Sequence, residues 1–337
     1  MLKTRTNVEM ATAIQSSVGI VVLNWRGLDD TRACCESLAK ISYPDARIFV
    51  VDNASGDGSA EALQSEFPQF IHVSNAKNLG FSGGNNAAMN RVLAENHKYV
   101  LLLNNDTIAA PDFLEAMVNA AETDPQIGMV GAKIYYFDSP DVLWYAGGTV
   151  DFEKPEPFGH VGENDRDRGQ YDEPGETGWV TGCCLLARGE ALKQVGLLDE
   201  AFGYYCEDVD WCLRANKAGW KIWYEPRAKV WHKIGRSTGR GSLPIQYYNC
   251  RNILLIARKN LAGVEKIKFF ARVIKWIRHY PRQIEYKPAV VEAAVHGILG
   301  CGGSVQNAGK AWWSRTVVFL QSKYQILKEH LFSERLV

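Results

Sequence analysis

The chain has 337 residues, of which 46% are hydrophobic and 23% are charged. This composition excludes a disordered chain, a collagen and a small disulfide-rich scaffold, and the length suits one large α/β domain with an appendage. Basic and acidic residues both number 38, so the net charge is zero, but residues 245–337 hold 15 basic and 5 acidic side chains. A basic C-terminal region therefore follows an acidic body.

The sequence shows no sign of a membrane-spanning or secreted chain. No apolar run reaches the roughly 18 residues that a spanning helix needs, and polar residues interrupt anything like a signal-peptide core near the N-terminus. The eight cysteines include two adjacent pairs but no Cys-x-x-Cys, so zinc-site spacing is absent and buried thiols in a reducing compartment are favoured. We therefore expect a cytoplasmic protein, with the inner face of the membrane left open as its working place.

Strand and helix patterns alternate through the first half of the chain. Continuous apolar, β-branched runs predict buried strands at Val18–Leu23, Ile48–Val51, Phe70–Ser74, Tyr99–Leu103 and Gly128–Tyr135. Between them, helices are predicted at Thr31–Lys40, from Ser59 onward, at Gly84–Asn96 and at Pro111–Thr123. This alternation predicts a mostly parallel sheet with right-handed crossover connections.

The alternation stops in the second half. Residues 151–176 are rich in charged residues, proline and glycine and are predicted to form a long exposed loop. Beyond it we expect a strand at Trp179–Ala187, a helix at Glu207–Ala218 and two short strands at Lys221–Tyr224 and Ala228–Trp231. From about Ile245 the sequence becomes helical and basic.

Polar side chains follow several predicted strands at the point where each strand ends. They are Asn24–Trp25, Asp52–Asn53, Asn104–Asn105–Asp106 and, in the second half, Glu207–Asp208. Taken one at a time, each fits a turn or a helix start. Because ligands bind beyond the carboxyl ends of parallel strands, their recurrence at one sheet edge indicates a ligand site.

Two common nucleotide-binding motifs are absent. A dinucleotide-binding fold requires G-x-G-x-x-G directly after the first strand, but that turn reads NWRGLDD, with Gly27 as its single glycine. The glycine cluster comes later, as Gly80, Gly83 and Gly84 before a helix. A P-loop lysine motif is missing as well.

Six motifs in a fixed order give a resemblance to a known family. They are VVLNWRG, VVDNASGDGS, NLGFSGGNN, LLLNNDT, the long GWVTGCCLLARGEALKQVGLLDEAFGYYCEDVDWCLR and WYEPRAKVWH. Together they resemble the inverting family 2 glycosyltransferases, and more narrowly the rhamnosyltransferase-like branch, over about residues 18–240. The resemblance implies the α/β fold called GT-A, with a mixed, mostly parallel central sheet, followed here by a C-terminal helical region.

The resemblance also implies how the chain is divided. An N-terminal extension covers residues 1–17, and the catalytic domain covers residues 18–244, with a nucleotide-binding half at 18–110 and an acceptor half at 111–244. The basic helical region covers residues 245–337. The sequence contains no internal repeat that would suggest another division.

The nucleotide-sugar donor is assigned by the resemblance to residues near the ends of the first strands. Asn24 and Trp25 correspond to positions that pack on the nucleotide base, and Asp52 to the acid that hydrogen-bonds the base. The remaining predicted donor contacts are Asn53, Gly80, Gly83, Asn85 and Asn105, the last of which faces the ribose.

Metal binding and catalysis are assigned by the resemblance to the later motifs. Asp106 and His232 correspond to ligands of a divalent cation, Mn²⁺ or Mg²⁺, that bridges the two phosphates, and the imidazole favours Mn²⁺. Asp208 corresponds to the catalytic base, while Glu207 and Trp179 lie on the acceptor side. The helix start lowers the pKa of Asp208 and the adjacent Glu207 raises it, so the sign of the sum stays open.

The function implied by the resemblance is metal-dependent, inverting sugar transfer in cell-surface polysaccharide synthesis. The donor is a dTDP- or UDP-sugar, with rhamnose as the first guess, and the acceptor is a saccharide or a polyprenyl-linked saccharide. Two alternatives stay open: an inactive sugar-nucleotide-binding subunit of a glycan-assembly complex, and a nucleotidyltransferase, which needs a G-x-G-T-like turn where this chain has NWRGLDD. The six histidines other than His232 are interpreted as structural.

The basic C-terminal region interleaves cations with large apolar side chains. The cations are Lys266, Lys268, Arg272, Lys275, Arg278 and Arg282, and the apolar residues are Phe269, Phe270, Val273, Ile274 and Trp276. One interpretation is peripheral contact with an anionic membrane. The other is a helical subdomain that packs on the catalytic domain or on a second subunit, as in a homodimer. Nucleic-acid binding is not expected, because no recognised module is present.

Overall fold

The computed structural model describes residues 17–234, 243–279 and 287–303. Its strands are β1 (Val18–Asn24), β2 (Ala46–Asp52), β3 (Ile71–Ser74), β4 (Tyr99–Asn104), β5 (Thr107–Ala109), β6 (Ile127–Tyr136), β7 (Ser139–Tyr145), β8 (Gly148–Val150), β9 (Phe158–His160), β10 (Gly175–Glu176), β11 (Cys184–Arg188) and β12 (Lys221–His232). Its helices are α1 (Leu28–Leu38), α2 (Ser59–Glu66), α3 (Gly80–Ala94), α4 (Phe113–Thr123), α5 (Gly189–Val195), α6 (Glu207–Lys217), α7 (Leu243–Asn260), α8 (Gly263–His279) and α9 (Lys287–Leu299). Most of the predicted N-terminal extension, Arg282, the side chain of Arg278 and residues 304–337 lie outside the described residues.

Ten of the strands form one mixed sheet, in the order β10-β12-β6-β11-β4-β1-β2-β3, with β5 paired to β12 and β7 to β6. Strands β1 to β4 run parallel, and so do β6 and β12. Strand β11 lies between these two parallel groups and joins them, pairing antiparallel with β4 on one side and with β6 on the other. The predicted mixed central sheet and the predicted C-terminal helices are both present.

Strand β1 lies at the centre of the main core. Ile20, Val21 and Val22 are fully buried, which requires cover on both faces of the sheet. Helix α3 comes closest at Gly19, where a Cβ atom would stand 2.2 Å from Cγ1 of Val92. Because Gly19 has no side chain, α3 packs directly on β1, and its N-terminal turns lie beside the strand ends of the predicted site.

Two helices begin earlier than the sequence predicts. Helix α1 starts at Leu28 rather than Thr31, so Asp29 lies in its first turn, where the helix dipole favours an acid. Helix α3 starts at Gly80 rather than Gly84. The glycine cluster that reads as a loop is therefore helical, because close packing on β1 outweighs the low helix propensity of glycine.

The second half departs further from the sequence pattern. The strand predicted at Trp179–Ala187 begins only at Cys184, after a turn. Strand β7 is not predicted from the sequence, and strands β8 to β10, two of which lie inside the predicted 151–176 loop, have only two or three residues each and leave no clear pattern. The two strands predicted on either side of Pro226 form the single strand β12, whose pairing with β6 shifts register across the proline, since proline has no N–H for the ladder.

Helices α7, α8 and α9 form a second apolar cluster, in which Phe269, Val273 and Ile277 supply the buried face of α8. Helix α7 also contributes Leu255 and Ile256 to the main core. The C-terminal helices therefore pack on the sheet domain through α7. None of the helices in the described ranges is long and apolar enough to cross a membrane.

Gly19→Ala tests how closely α3 must approach β1. The added methyl group overlaps Val92, so we expect a loss of about 1–3 kcal/mol in the free energy of unfolding, measured by urea denaturation. Gly175→Ala is the matched control, because nothing lies within 4 Å of a Cβ atom at that position, and its effect should stay below about 0.5 kcal/mol. A neutral Gly19→Ala variant would contradict the close packing.

Candidate active site

Three parallel strands end together and bring predicted polar residues to one edge of the sheet. Asn24, at the end of β1, is opposite Asp52 at the end of β2. On the other side of β1, Leu23 is opposite Asn104 at the end of β4. This register is the reason that motifs far apart in the sequence meet in the fold.

Asn24 is fully buried and connects these strand ends. Its Nδ2 donates to Oδ1 of Asp52 (3.0 Å) and to Oγ of Ser59 (2.9 Å), and its Oδ1 accepts from the Thr31 hydroxyl (3.0 Å). The second Asp52 oxygen accepts the Ser55 N–H (3.1 Å). The Asn24 amide is thus used within the protein, where it orients Asp52, and its contact with a nucleotide base stays a prediction.

Asn53, in the loop directly after β2, is bonded to the loop that leads into α3. Its Nδ2 donates to Oδ1 of Asn78 (3.0 Å) and to the carbonyl of Gly80 (3.0 Å), while its Oδ1 accepts a backbone N–H of the same loop. Gly80 has a φ of +72°, a left-handed conformation that glycine adopts without strain. These bonds fix the first turn of α3, the helix on which Gly83 and Asn85 lie.

Trp25 is the exposed member of the predicted donor set. Its exposed fraction is 47%, and the Arg26 guanidinium lies 5.5 Å from the indole centroid. Arg26 also donates to the carbonyl of Ser55 (3.2 Å), so the cation is anchored. A half-exposed indole beside a strand end offers a flat apolar face of the kind on which a nucleotide base stacks.

A cavity of about 110 Å³ lies where the strand ends meet α3. Its walls include Asn85, Asn104, Asn105 and Asp106. Nδ2 of Asn105 donates to the Thr31 hydroxyl (2.8 Å), which also bonds Asn24. The N-N-D motif therefore supplies polar groups of this cavity and is tied to the network at the end of β1.

Asp106 and His232 form a pair of buried side chains. The pairing of β5 with β12 sets His232 opposite Thr107, and Nε2 of His232 lies 3.1 Å from Oδ1 of Asp106. Nδ1 of His232 is buried and has no hydrogen-bond partner among the described residues. Nε2 and the Asp106 carboxylate thus face each other, and a carboxylate oxygen with an imidazole nitrogen is a ligand pair that suits a divalent cation, Mn²⁺ in particular.

Asp106 and His232 would be the two protein ligands of such a cation among the described residues. Within the described parts of the chain, no cluster of three or more histidine, cysteine, aspartate or glutamate side chains could hold a metal. Two protein ligands leave coordination positions for phosphate oxygens and water, as is usual for Mg²⁺ in phosphate-binding sites.

A larger cavity of about 500 Å³ adjoins the first, and both are lined by Phe81, Asn104, Asp106 and Gly182. Five of the predicted site residues line the larger cavity: Asp106, His232, Trp179, Glu207 and Asp208. The described residues that line the two cavities do not include Asn24, Trp25, Asp52, Asn53, Gly80 or Gly83.

Asp208 and Glu207 lie side by side in the first turn of α6. Oδ2 of Asp208 accepts the Gly182 N–H (2.9 Å), and Oδ1 accepts the Val209 N–H (2.8 Å). Desolvation raises the pKa of Asp208 above its ordinary value, although these two hydrogen bonds oppose the shift. Desolvation, together with the charge of Asp208, raises the pKa of Glu207 well above its ordinary value.

The sequence leaves open whether the pKa of Asp208 is raised or lowered, and burial decides that it is raised. Oε2 of Glu207 is buried without a partner in the described structure, which suits a carboxyl group that keeps its proton. Asp208 has two N–H donors that favour its charged form. Of the two carboxyl groups, Asp208 therefore ionises more readily and is the one free to accept a proton, whereas Glu207 holds its own.

His160 is a cavity residue that its sequence context does not reveal. The pairing of β8 with β9 places it at the large cavity, where its ring lies 4.7 Å from Trp144 and 5.2 Å from Trp179, centroid to centroid. Its Nδ1 is 3.0 Å from the Trp144 carbonyl, so Nδ1 carries the proton and Nε2 is an acceptor. The sequence does not reveal this position at the cavity, because the β8–β9 hairpin that brings His160 here is not predicted.

Tyr204 and Tyr205 also line the large cavity. They directly precede Cys206 and Glu207 in the motif GYYCED, and this position is the signal that could have identified them. Trp179 is nearly fully buried, and its Nε1 donates to the Thr149 carbonyl (3.2 Å). Aromatic side chains thus share the walls of this cavity with the two carboxyl groups.

A family model described as "Glycosyltransferase like family 2" matches residues 15–242. The chain belongs to this family. It is a glycosyltransferase, and transfer with inversion is typical of the family, so the resemblance read from the six motifs is confirmed.

Two relatives and two solved structures agree with this assignment. The N-acetylglucosaminyl-diphospho-decaprenol L-rhamnosyltransferase of Mycobacterium tuberculosis is 31% identical over 234 residues, which are 60% of this chain and 72% of that protein. The low-salt glycan biosynthesis hexosyltransferase Agl10 of Haloferax volcanii is 25% identical over 305 residues, or 86% of this chain and 94% of that protein. The mannosyltransferase PcManGT from Pyrobaculum calidifontis, in complex with GDP-Man and Mn²⁺, has a TM-score of 0.53 at 15% identity. The match covers 93% of this chain and 81% of the PcManGT chain. TarS 1-349 of S. aureus, in complex with UDP-GlcNAc, has a TM-score of 0.54 at 15% identity. The match covers 84% of this chain and 81% of that TarS chain. These likenesses confirm the GT-A fold.

Glu207→Gln tests the protonation of Glu207 through the pH dependence of stability. Because folding raises the pKa of Glu207, the unfolded chain ionises first as the pH rises. Stability then falls from about pH 4.3, the ordinary glutamate pKa, up to the raised pKa, by roughly 1.4 kcal/mol per pH unit. Glutamine does not ionise, so the variant should gain in melting temperature relative to the wild type between about pH 5 and pH 8.

The control is Glu190→Gln, which replaces an exposed glutamate in the first turn of α5. Its melting temperature should follow that of the wild type at every pH. If Glu207→Gln also follows the wild type, Glu207 is not held in its protonated form.

Proposed function

We propose that this enzyme transfers a sugar, with rhamnose as the first candidate, from a dTDP- or UDP-sugar to a saccharide or polyprenyl-linked saccharide in cell-surface polysaccharide synthesis. The observation that supports this most is a single cavity of about 500 Å³ that is lined both by Asp208 and by the Asp106–His232 pair. A sugar in this cavity has a base and a phosphate-binding pair within the same walls. We therefore favour an active transferase over the inactive subunit and the nucleotidyltransferase.

In the proposed reaction, Asp208 accepts the proton of the acceptor hydroxyl while that oxygen attacks the anomeric carbon of the donor. The bond from this carbon to the diphosphate breaks, and its electron pair leaves with the diphosphate oxygen. A single displacement inverts the anomeric configuration and needs no covalent intermediate. The raised pKa of Asp208 makes it a stronger base than an exposed aspartate.

The donor is proposed to bind at the strand ends. Asp52, oriented by Asn24, would hydrogen-bond the nucleotide base, and Trp25 would stack on it. Asp106 and His232 would hold a Mn²⁺ or Mg²⁺ ion, which when bound supplies positive charge to the leaving diphosphate. The other proposed donor contacts are Asn53, Gly80, Gly83, Asn85 and Asn105, and the proposed acceptor contacts are Glu207 and Trp179.

The substrate classes rest on the relatives. The Mycobacterium tuberculosis protein is named for L-rhamnosyl transfer and for N-acetylglucosaminyl-diphospho-decaprenol, which is the reason to test rhamnose and a lipid-linked acceptor first. All eight cysteines of this chain are free thiols, which fits the reducing cytoplasm. We therefore propose that the enzyme works at the inner face of the membrane, where a lipid-linked acceptor is within reach.

Besides its buried apolar face, helix α8 has exposed apolar residues on its outer side. Val264, Ile267 and Ile274 are 64%, 69% and 45% exposed, and their spacing sets them on one helix face. We call these three residues the α8 stripe. The same helix has five lysine or arginine residues and a single glutamate, so its charge complements anionic lipid headgroups. We propose that the α8 stripe contacts an anionic membrane surface.

Two substitutions should separate catalysis from donor binding. Asp208→Asn removes the base, so we expect transfer to fall about 10²- to 10⁴-fold, while the affinity for the nucleotide stays within about twofold. Asp106→Asn removes a proposed metal ligand, so the Mn²⁺-dependent part of nucleotide binding should be lost. Calorimetry with UDP, dTDP, GDP and CDP, with and without Mn²⁺, measures binding, and labelled dTDP-rhamnose measures transfer.

The control for both variants is Asp112→Asn, at an exposed position before α4. Wild-type turnover in Asp208→Asn would contradict its role as the base. Metal-dependent nucleotide binding without transfer to any acceptor would favour the inactive subunit. Formation of a nucleotide sugar from a nucleoside triphosphate and a sugar phosphate would favour the nucleotidyltransferase.

The membrane proposal predicts that Ile267→Glu combined with Ile274→Glu weakens binding to phosphatidylglycerol vesicles by about tenfold or more, because both side chains lose their apolar contact and add negative charge. Vesicle flotation measures the effect. Val295→Glu is the matched control, since Val295 is an exposed apolar residue of α9. A wild-type dimer in light scattering that the double variant abolishes would instead assign the α8 stripe to a second copy of the chain.

A further inference from the structure

The loop that leads into α6 is held from the C-terminal helix α7. Asn252 of α7 is fully buried, and its Nδ2 donates to the carbonyls of Phe202 (3.1 Å), Tyr204 (2.7 Å) and Tyr205 (2.7 Å). The two N–H groups of one amide are thus shared among three backbone carbonyls of a single loop. Buried carbonyls of this kind are costly to leave without a partner.

Arg251, the preceding residue, fixes the orientation of that amide. Its side chain is nearly inaccessible, and its Nε donates to Oδ1 of Asn252 (2.8 Å), so Nδ2 of Asn252 has to face the loop. Its terminal nitrogens donate to the carbonyls of Phe202, of Ala201 (3.2 Å) and of Gly303 (2.5 Å). We call Arg251 and Asn252 the α7 clamp.

The loop needs an anchor because its backbone is strained. Tyr205 and Cys206 have φ angles of +68° and +65°, in the left-handed region that residues with side chains rarely adopt. Two such residues in succession persist where the surrounding structure over-determines them. Cys206 is the N-cap of α6, so the strained pair sets the direction in which α6 leaves the loop and, with it, the position of the Asp208 carboxylate.

We propose that Arg251 and Asn252 are positioning residues for the transfer reaction. The α7 clamp holds the strained loop so that Asp208 meets the acceptor hydroxyl in the geometry that proton transfer requires, and this proposal rests on the proposed role of Asp208 as the base. Neither clamp residue is among the described residues that line the large cavity. The clamp therefore acts through the loop rather than by touching the substrate, and the C-terminal region becomes part of the active-site architecture.

Asn252→Asp tests the clamp with the smallest change of shape. The variant loses the N–H groups that hold the loop but keeps an oxygen for the Nε of Arg251. We expect kcat to fall roughly 10- to 100-fold, because small displacements of a catalytic group are costly, while KM for the donor and the calorimetric nucleotide affinity stay within about twofold. Asn260→Asp is the matched control, since the Asn260 amide donates to the Ile256 carbonyl within α7 (2.7 Å), and its kcat should equal that of the wild type.

Cys206→Gly tests whether strain in the loop is what the clamp opposes. Glycine adopts the left-handed φ without a steric penalty, so the loop then needs less external support. In the Asn252→Asp background, Cys206→Gly should therefore restore kcat by about tenfold relative to Asn252→Asp alone. A variant that merely destabilises the fold would not regain kcat through a glycine at this position.

Hydrogen exchange gives a readout that does not depend on turnover. The amides of residues 202–210 should exchange faster in Asn252→Asp than in the wild type or Asn260→Asp, while those of β1 and β4 keep their rates. Unchanged exchange in this segment, or wild-type kcat in Asn252→Asp, overturns the proposal. An equal loss of kcat and of nucleotide affinity also overturns it. If the wild-type enzyme transfers no sugar, the proposed function fails, and the exchange rates still decide whether the clamp holds the loop.

Discussion

Two adjacent carboxyl groups at the start of α6, Glu207 and Asp208, set the constraint on which the site depends. Removing two neighbouring carboxylates from water is costly unless one keeps its proton or each finds donors. The N–H groups of Gly182 and Val209 stabilise the charge on Asp208, whereas the pKa of Glu207 is raised by burial and by that charge. Of the two, Asp208 is thus the group whose charged form the backbone stabilises, which suits the proposed role of a general base.

This constraint explains why β11 begins late. In a regular strand from Trp179 onward, the N–H of Gly182 would belong to the sheet ladder. Because the chain turns before Cys184, that N–H is available to Asp208 (2.9 Å). The strand is thus interrupted where Asp208, the proposed base, accepts a backbone N–H, as expected when local preferences yield to a functional site.

The sheet and the polar edge of the site could be predicted from the sequence, since buried parallel strands such as β1 and β4 are continuous apolar runs and their ends are marked by Asn24 and Asn104. The burial of the individual site residues could not be predicted in this way. The pKa of Asp208 is raised by its burial, in a cavity whose walls include residues of β9 and α7. The position of His160 depends on a hairpin of three-residue strands without a periodic pattern. Asn252 is an ordinary helical asparagine in sequence, and only the tertiary path of the loop before α6 reveals its three carbonyl partners.

The C-terminal helices connect the two proposed contacts of the enzyme. Helix α7 faces inward to the loop before α6, while α8 exposes its stripe outward, and both share one apolar cluster. Phe269 of α8 also lies 5.5 Å from the ring of Phe152, centroid to centroid, and Arg272 donates to the Phe152 carbonyl (2.6 Å), which ties α8 to the segment between β8 and β9. The same helices would thus connect a membrane-bound α8 stripe with the walls of the cavity that contains Asp208.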